Sequence, residues 1–153
     1  MSARFAALPV LVIGALAGAS APAHAAITVF DTQPAFAAAS SAPGVDAYTG
    51  FPLTTATPSP INRAAGPYTY TGAVTTTTFF GAGTAADPWL STNTATDTIT
   101  FNNFSGSAAA VGGNFFGSNV SGVFESGNIT LVASDSLGAT ATRTITGATV
   151  SSF

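Results

Sequence analysis

The side chains able to perform acid–base or nucleophilic chemistry are few in this chain of 153 residues. Lys and Cys are absent, and the chain has three Arg, one His and six carboxylic acids. The acids are Asp31, Asp46, Asp87, Asp97, Glu125 and Asp135. Two carboxylates that flank a glycosidic bond can hydrolyse it. Each acid here stands singly beside a turn or a strand start, which favours structural roles.

A hydrolytic triad needs a Ser or Cys nucleophile beside a base. The one His, His24, lies in the N-terminal segment that we expect to be removed, and no Lys is present to replace it. We therefore predict that the protein is not an enzyme. The remaining two Arg, set against six acids, also argue against nucleic-acid binding.

The N-terminus has the organisation of a secretory signal peptide. Residues 1–4 carry one positive charge, residues 5–18 are apolar, and Ala23-His24-Ala25 follows. Small residues at both ends of that triplet predict cleavage between Ala25 and Ala26. The alternative is a membrane anchor, but the apolar run is shorter than the roughly 20 residues of a spanning helix. We expect an exported protein with one domain over residues 26–153 and no membrane segment after processing.

Calcium is the metal that the remaining side chains suit best, because it prefers hard oxygen ligands. Asp135 with Ser136, and Asp87 near Asn93, are the candidate donors. No D-x-D-x-D-G loop is present, and imidazole and thiolate ligands for transition metals are missing from the mature chain. The sequence thus predicts no cofactor, with calcium as the open alternative.

Glycan binding has a physical basis in the aromatic side chains. Trp89, Tyr48, Tyr68 and Tyr70 have flat faces that suit sugar rings, and Asn and Thr supply neutral hydrogen bonds. The alternative is that Trp89 fills the core together with most of the 12 Phe. An exposed row of aromatic rings on one sheet face would distinguish the two interpretations.

The mature sequence is typical of an all-β protein. Residues 26–30 are predicted as a strand, followed by a short helix with Asp31 or Thr32 as its N-cap, Pro34 in its first turn and Phe36 as its core anchor. Period-two alternation predicts further strands over residues 45–51, 68–72, 74–80, 96–104, 108–116, 123–124, 128–134 and 139–146.

The segments between these strands are predicted as loops and turns. Three prolines place Arg63 in an extended loop, and residues 81–88 and 135–138 are rich in turn formers. The Thr run at 75–78 is predicted as strand, with a low-complexity linker or glycan acceptors as the alternatives. Strands at intervals of roughly ten residues favour an antiparallel β-sandwich or jelly roll with one short N-terminal helix.

The sequence resembles small exported proteins of Gram-negative bacteria that carry a PEP-CTERM sorting signal. The resemblance rests on the leader and on the segments at residues 27–31, 34–36, 88–92, 99–101 and 111–117. Those proteins usually end in Val-Pro-Glu-Pro, an apolar helix and a basic tail, and this sequence has none of the three. From the strand-like ending at residues 148–153 we expect a truncated or frameshifted product with an exposed sheet edge, and hence poor solubility or oligomers.

Together these observations predict a non-enzymatic exported protein of the cell surface or of an exopolysaccharide matrix, with a structural or adhesive role. The expected partners are polysaccharide or other surface proteins, and the oligomeric state is left open. A secreted carbohydrate-binding module is the alternative function.

Overall fold

The computed structural model describes residues 26–106 and 108–153, which contain one helix and ten strands. The helix α1 spans Gln33–Ala39. The strands are β1 (Thr57–Pro58), β2 (Ile61–Ala65), β3 (Tyr68–Val74), β4 (Thr78–Gly83), β5 (Pro88–Ser91), β6 (Ile99–Asn102), β7 (Gly117–Ser118), β8 (Phe124–Glu125), β9 (Gly127–Ser134) and β10 (Thr140–Ala148). The predicted all-β class with one short N-terminal helix is confirmed.

The strands form four small antiparallel sheets. Two sheets have three strands each, in the orders β1-β4-β5 and β2-β3-β6, and two are the ribbons β7-β8 and β9-β10. The arrangement of these sheets as a β-sandwich or jelly roll stays a prediction.

Helix α1 begins and ends as its sequence predicts. The Thr32 hydroxyl is the N-cap and accepts a hydrogen bond from the Ala35 amide at 3.3 Å, while a proline occupies the first turn. Phe36 is only half-buried and contacts the rings of Phe30 and Phe153, with centroids 6.1 and 5.3 Å away. Phe36 therefore anchors the helix to Phe30 and Phe153 rather than to the main core, which corrects its predicted role.

The main core consists of Phe51, Val74 and Phe79, and Phe79 has no exposed surface. The half-buried side chains around it are Tyr48, Ile61, Leu90 and Ile99. Alternate residues of β3 point into this core, as expected of a sheet with one buried face. The loop after residue 50 closes over β4, where the amide of Gly81 donates to the carbonyl of Pro52 at 3.1 Å.

Glycine is required at that closure. A Cβ at position 81 would lie 2.2 Å from the carbonyl oxygen of Pro52, so the backbone of the loop could not approach β4 with any larger residue. The approach lets Phe51 reach the core from a segment that has no strand structure of its own.

Two predicted strands, at residues 45–51 and 26–30, are wrong because neither segment has strand structure. The first segment ends in a turn in which the amide of Phe51 donates to the carbonyl of Tyr48 at 2.9 Å, Tyr48 and Gly50 have positive φ angles, and the Asp46 carboxylate accepts from the Tyr48 amide at 2.8 Å. Residues 26–30 are not a strand either, and Phe30 instead packs edge-on against the helix. In both segments side-chain contacts outweigh the β-propensity of the sequence.

The predicted strand at residues 108–116 is also wrong: the segment has no strand structure. Its double glycine leaves room for aromatic rings instead, since a Cβ at Gly112 would lie 2.6 Å from the ring of Phe153. The amide of Phe115 then donates to the carbonyl of Ser152 at 2.8 Å. That bond joins the segment to the turn at residues 149–152, which follows β10 where further strand was expected.

The strands around the proline-rich segment and the Thr run have other bounds than predicted. Arg63 lies in β2 rather than in a loop, and the predicted break of β3 at Gly72 occurs instead at residues 75–77, which form a bend rather than strand. Pro58 lies in β1 and pairs with Thr78 of β4. Residues 81–83 are strand rather than turn, because they belong to β4. The β6, β9 and β10 strands lie where the period-two pattern predicts them.

Replacing Phe79 by Ala should lower the free energy of unfolding by about 3–5 kcal/mol, because it leaves a cavity in the main core. Urea denaturation followed by circular dichroism measures this loss. Val45→Ala is the control, since Val45 is 77% exposed, and it should change the free energy by less than about 0.5 kcal/mol. Equal losses in both variants would contradict this assignment of the core.

Candidate functional site

A shallow groove lies where β4 and β5 meet the turn that precedes β8. It consists of two adjoining cavities of about 260 and 370 Å³. Both cavities are lined by Thr92, Asn93, Asn119 and Val120. The other lining residues are Leu53, Thr54, Phe80, Gly81, Ala82, Gly83, Ser91, Ala95, Ser118, Ser121, Gly122 and Glu125. We call this surface the polar groove.

One wall of the polar groove is fixed by the carboxylate of Asp97. Its oxygens accept hydrogen bonds from the hydroxyls of Thr75 at 3.0 Å and Thr76 at 2.6 Å, and a further one from the hydroxyl of Thr92. Partial desolvation opposes ionisation, but these hydroxyls together hold the pKa of Asp97 below its usual value. The carboxylate therefore joins the bend before β4 to the end of β5 and positions Thr92 in the groove.

The opposite wall is a turn that Asn119 organises. Its side-chain oxygen accepts from the amides of Ser121 at 3.0 Å and Val123 at 3.1 Å. The amide of Gly83 donates to the carbonyl of Gly122 at 3.0 Å, which fastens the turn to β4. Val120 then stands at the tip with 90% of its surface exposed.

The polar groove is lined mainly by uncharged side chains. Hydroxyl and amide side chains alternate with apolar surface from Leu53, Phe80 and Val120, and Glu125 is the one charged lining residue. Such a surface can form hydrogen bonds and apolar contacts with an uncharged ligand. None of its lining residues is a His, Cys or Lys that could serve as a conventional base beside a hydroxyl.

A second polar cluster lies beside the main core. The guanidinium of Arg63 donates twice to Asp46, from Nε at 2.8 Å and from Nη2 at 2.6 Å. The hydroxyl of Tyr70 donates to the same carboxylate at 2.7 Å. The guanidinium carbon lies 5.0 Å from the ring centroid of Tyr48 and 5.7 Å from that of Phe51, so the cation also packs on two aromatic faces.

Hydrogen bonds and burial set the direction in which each pKa of this cluster is shifted. Burial opposes the charge on Asp46, yet the hydrogen bonds from Arg63, Tyr70 and the amide of Tyr48 hold the pKa of its carboxyl below the usual value. The hydrogen bond to Asp46 raises the pKa of Arg63 further. Burial raises the pKa of both tyrosines. The cluster is thus a stable ion pair that holds the loop at residues 46–51 against β2 and β3.

The aromatic residues predicted to contact glycan are separated in the structure. Trp89 is half-buried on β5, edge-on to Phe116 at 5.2 Å, and its Nε1 is buried without a hydrogen-bond partner in the described residues. Tyr68 and Tyr70 lie on β3, in a different sheet. Tyr68 is half-buried and donates to the carbonyl of Ala42 at 3.1 Å, while Tyr70 is buried in the ion-pair cluster with Tyr48. None of them lines the polar groove.

The residues predicted as calcium donors have local roles. The Asp135 carboxylate accepts from the amides of Leu137 at 2.9 Å and Ala139 at 2.8 Å and so closes the β9–β10 turn, next to Ser136. Asp87 lies in the turn before β5, where its amide donates to the carbonyl and the hydroxyl of Thr84. Within residues 26–106 and 108–153, no three acidic, His or Cys side chains cluster as a metal site would require.

The predicted cleavage site lies at the edge of the described residues. Ala25 is outside them, and Ala26 is the first residue described. No helix in the described ranges is long and apolar enough to span a membrane. No family model, curated protein or solved structure matches the chain. The signal peptide and the PEP-CTERM resemblance therefore stay predictions.

The polar groove could not be predicted from the sequence, because its walls come from segments more than 20 residues apart. The signal for one wall is nevertheless present. Asn119 followed by Gly122 is typical of a turn in which the Asn side chain bonds to backbone amides. No comparable local pattern identifies Asp97, since its three Thr partners approach from two other segments.

Replacing Asp46 by Ala should lower the free energy of unfolding by about 2–4 kcal/mol, because it leaves a partly buried guanidinium and a Tyr hydroxyl without their acceptor. Asp31→Ala is the matched control. Its partner Arg143 is 3.0 Å away, but both side chains are largely exposed, so the loss should stay within about 1 kcal/mol.

The same ion pair predicts a pH dependence. Because the pKa of Asp46 is lower in the folded chain, its contribution is complete above the usual value of 3.8 and is lost as the pH falls through the folded pKa. Urea denaturation at pH 7 and at successive values below about pH 4 should show a stability loss that is smaller in Asp46→Ala. An equal loss in both proteins would contradict this role of Asp46.

Proposed function

We propose that this chain is a non-enzymatic exported protein of the PEP-CTERM type, with a structural or adhesive role at the cell surface or in an exopolysaccharide matrix. The observation that carries the proposal is the neutral hydroxyl-bearing face of β9 and β10. The exposed residues Thr140, Thr142, Thr144 and Thr146 alternate along β10, and Thr130 stands opposite Thr144. Their hydroxyls keep the sheet wettable without charge, and their methyl groups offer apolar contact.

The use of the charged side chains also supports a non-enzymatic role. Asp46 pairs with Arg63, Asp97 binds three Thr hydroxyls, and Asp135 closes a hairpin. These carboxylates are occupied by neighbours that fix the fold, and none lies beside a nucleophile and a base. The function is therefore assigned to the surface of the sheets rather than to reactive groups.

A secreted carbohydrate-binding module is the second candidate, and the polar groove favours it. The amide group of Asn93 is exposed at the groove and makes no hydrogen bond within the described residues. It is free to bond a sugar hydroxyl, and Val120 supplies an exposed apolar edge on the opposite wall. The ligand class that fits is a neutral polysaccharide.

Export predicts a defined N-terminus. In a host that exports the protein, the mature product should begin at Ala26 and should be recovered from the cell surface or the matrix fraction. Replacing Ala25 by Asp should leave the full-length precursor, because signal peptidase requires a small residue there. N-terminal sequencing and intact mass measure the outcome, and Ala26→Ser is the control that should still be cleaved. An uncleaved wild-type protein would overturn the export proposal.

Glycan binding predicts a loss at Asn93. Asn93→Ala should weaken binding of a neutral polysaccharide by about fivefold, because one hydrogen bond contributes about 1 kcal/mol. Affinity electrophoresis in gels that contain the polysaccharide measures it, and Asn102→Ala, on β6, is the control. A loss with Tyr68→Ala instead would favour the tyrosine site, and no binding by the wild type would end the second candidate while leaving the first.

A further inference from the structure

The β9–β10 hairpin is a long ribbon without a third strand. Its strands have 8 and 9 residues, yet neither pairs with another strand within residues 26–106 and 108–153. A two-stranded sheet is marginally stable in water by itself, and independent stability usually needs three or more strands. The side chains of Ile129, Leu131 and Ile145 on its inner face are only half-buried.

The turn between β9 and β10 determines which main-chain N–H and C=O groups of β10 have no partner in β9. The amide of Asp135 donates to the carbonyl of Ala139 at 3.0 Å. In an antiparallel ladder, bonded and non-bonded pairs alternate from that point. The main-chain groups of Thr140, Thr142 and Thr144 therefore point away from β9. The 3.4 Å between the hydroxyls of Thr130 and Thr144 agrees with the closer spacing of a non-bonded pair.

Over residues 140–145 this outer edge has few of the features that usually prevent strand pairing. Exposed edges are commonly protected by Lys, Pro or a β-bulge. Residues 140–145 contain no Lys or Pro, and their register is regular as far as Ile145. The one charge, on Arg143, is 3.0 Å from the carboxylate of Asp31. Over residues 140–145 the edge is thus regular in register and nearly neutral, and it is unpaired within the described part of the chain.

The pattern of β10 fits a second copy of itself. We propose that the outer edge of β10 pairs antiparallel with β10 of a second copy, with the two-fold axis at Thr142. This register places Thr140 opposite Thr144 and Arg143 opposite Ala141. Every Thr whose main-chain groups point away from β9 therefore faces a Thr of the second copy. Thr–Thr pairs across strands are favourable. About six backbone hydrogen bonds form, because each outward Thr contributes an N–H and a C=O.

Two alternative registers are less favourable. An axis at Arg143 would place two guanidinium groups directly opposite each other, and like charges in that position are destabilising. An axis at Thr144 would extend the pairing to residue 148, across the irregular register between Ile145 and Ala148. The register at Thr142 avoids both problems and joins two ribbons into one four-stranded sheet.

A cysteine pair tests the register directly, because the chain contains no Cys. In Thr142→Cys the two new residues would be a bonded antiparallel pair with Cα atoms about 5.5 Å apart, within the usual disulfide range. Thr130→Cys is the matched control, since it is an exposed Thr of the same face on β9, with its copy at least three strand spacings, about 14 Å, away. Under mild oxidation Thr142→Cys should form covalent dimer on the order of tenfold faster, because pairing raises the effective thiol concentration.

Mass measurements test the pairing without oxidation. The wild-type protein should have the mass of two chains by sedimentation equilibrium, Thr142→Lys should have half that mass, and Thr130→Lys should keep the dimer. Circular dichroism checks that each variant keeps its β-structure. If Thr142→Lys fails to fold, the oxidation rates of Thr142→Cys and Thr130→Cys test the pairing instead. A wild-type monomer at all concentrations, equal dissociation of both Lys variants, or equal oxidation rates of both Cys variants would overturn the proposal.

Discussion

The ion pair between Asp46 and Arg63 is the interaction on which the central part of the fold depends. It holds a loop without strand structure against the sheet β2-β3-β6, and that loop carries Phe51 into the core. The same carboxylate fixes Tyr70, whose ring packs against Phe101 and Phe104. In a chain that is only 6% charged, one bidentate pair thus organises contacts that hydrophobic patterning alone leaves unspecified.

Local features of the fold could be predicted, whereas long-range ones could not. Helix α1 follows from Thr32 and its proline, and the β9–β10 hairpin follows from alternation and the turn at Asp135, because these signals act over a few residues. Residues 45–51 show the same alternation but end in a turn, since the bond from Tyr48 to Asp46 and the long-range bond from Arg63 favour it. In the segment at 108–116, Gly112 likewise accepts the rings of the distant residues Phe36 and Phe153 rather than a neighbouring strand.

The candidate site was less predictable than the fold. Flat aromatic rings are the sequence signal for sugar binding, but Tyr70 is committed to the ion pair and Trp89 packs against Phe116. The polar groove is assembled from side chains, such as Asn93 and Asn119, whose types occur throughout the chain and carry no special spacing. Only the fold brings them together, through the bonds of Asp97 on one side and the glycine contact with β4 on the other.

The carboxylate of Asp97 has a consequence for the range of solutions in which the groove keeps its shape. It is satisfied by neutral hydroxyls from Thr75, Thr76 and Thr92 rather than by a cation. Dissolved ions weaken attraction between exposed opposite charges but act little on short hydrogen bonds of this kind. A wall built in this way keeps its geometry from dilute to saline water.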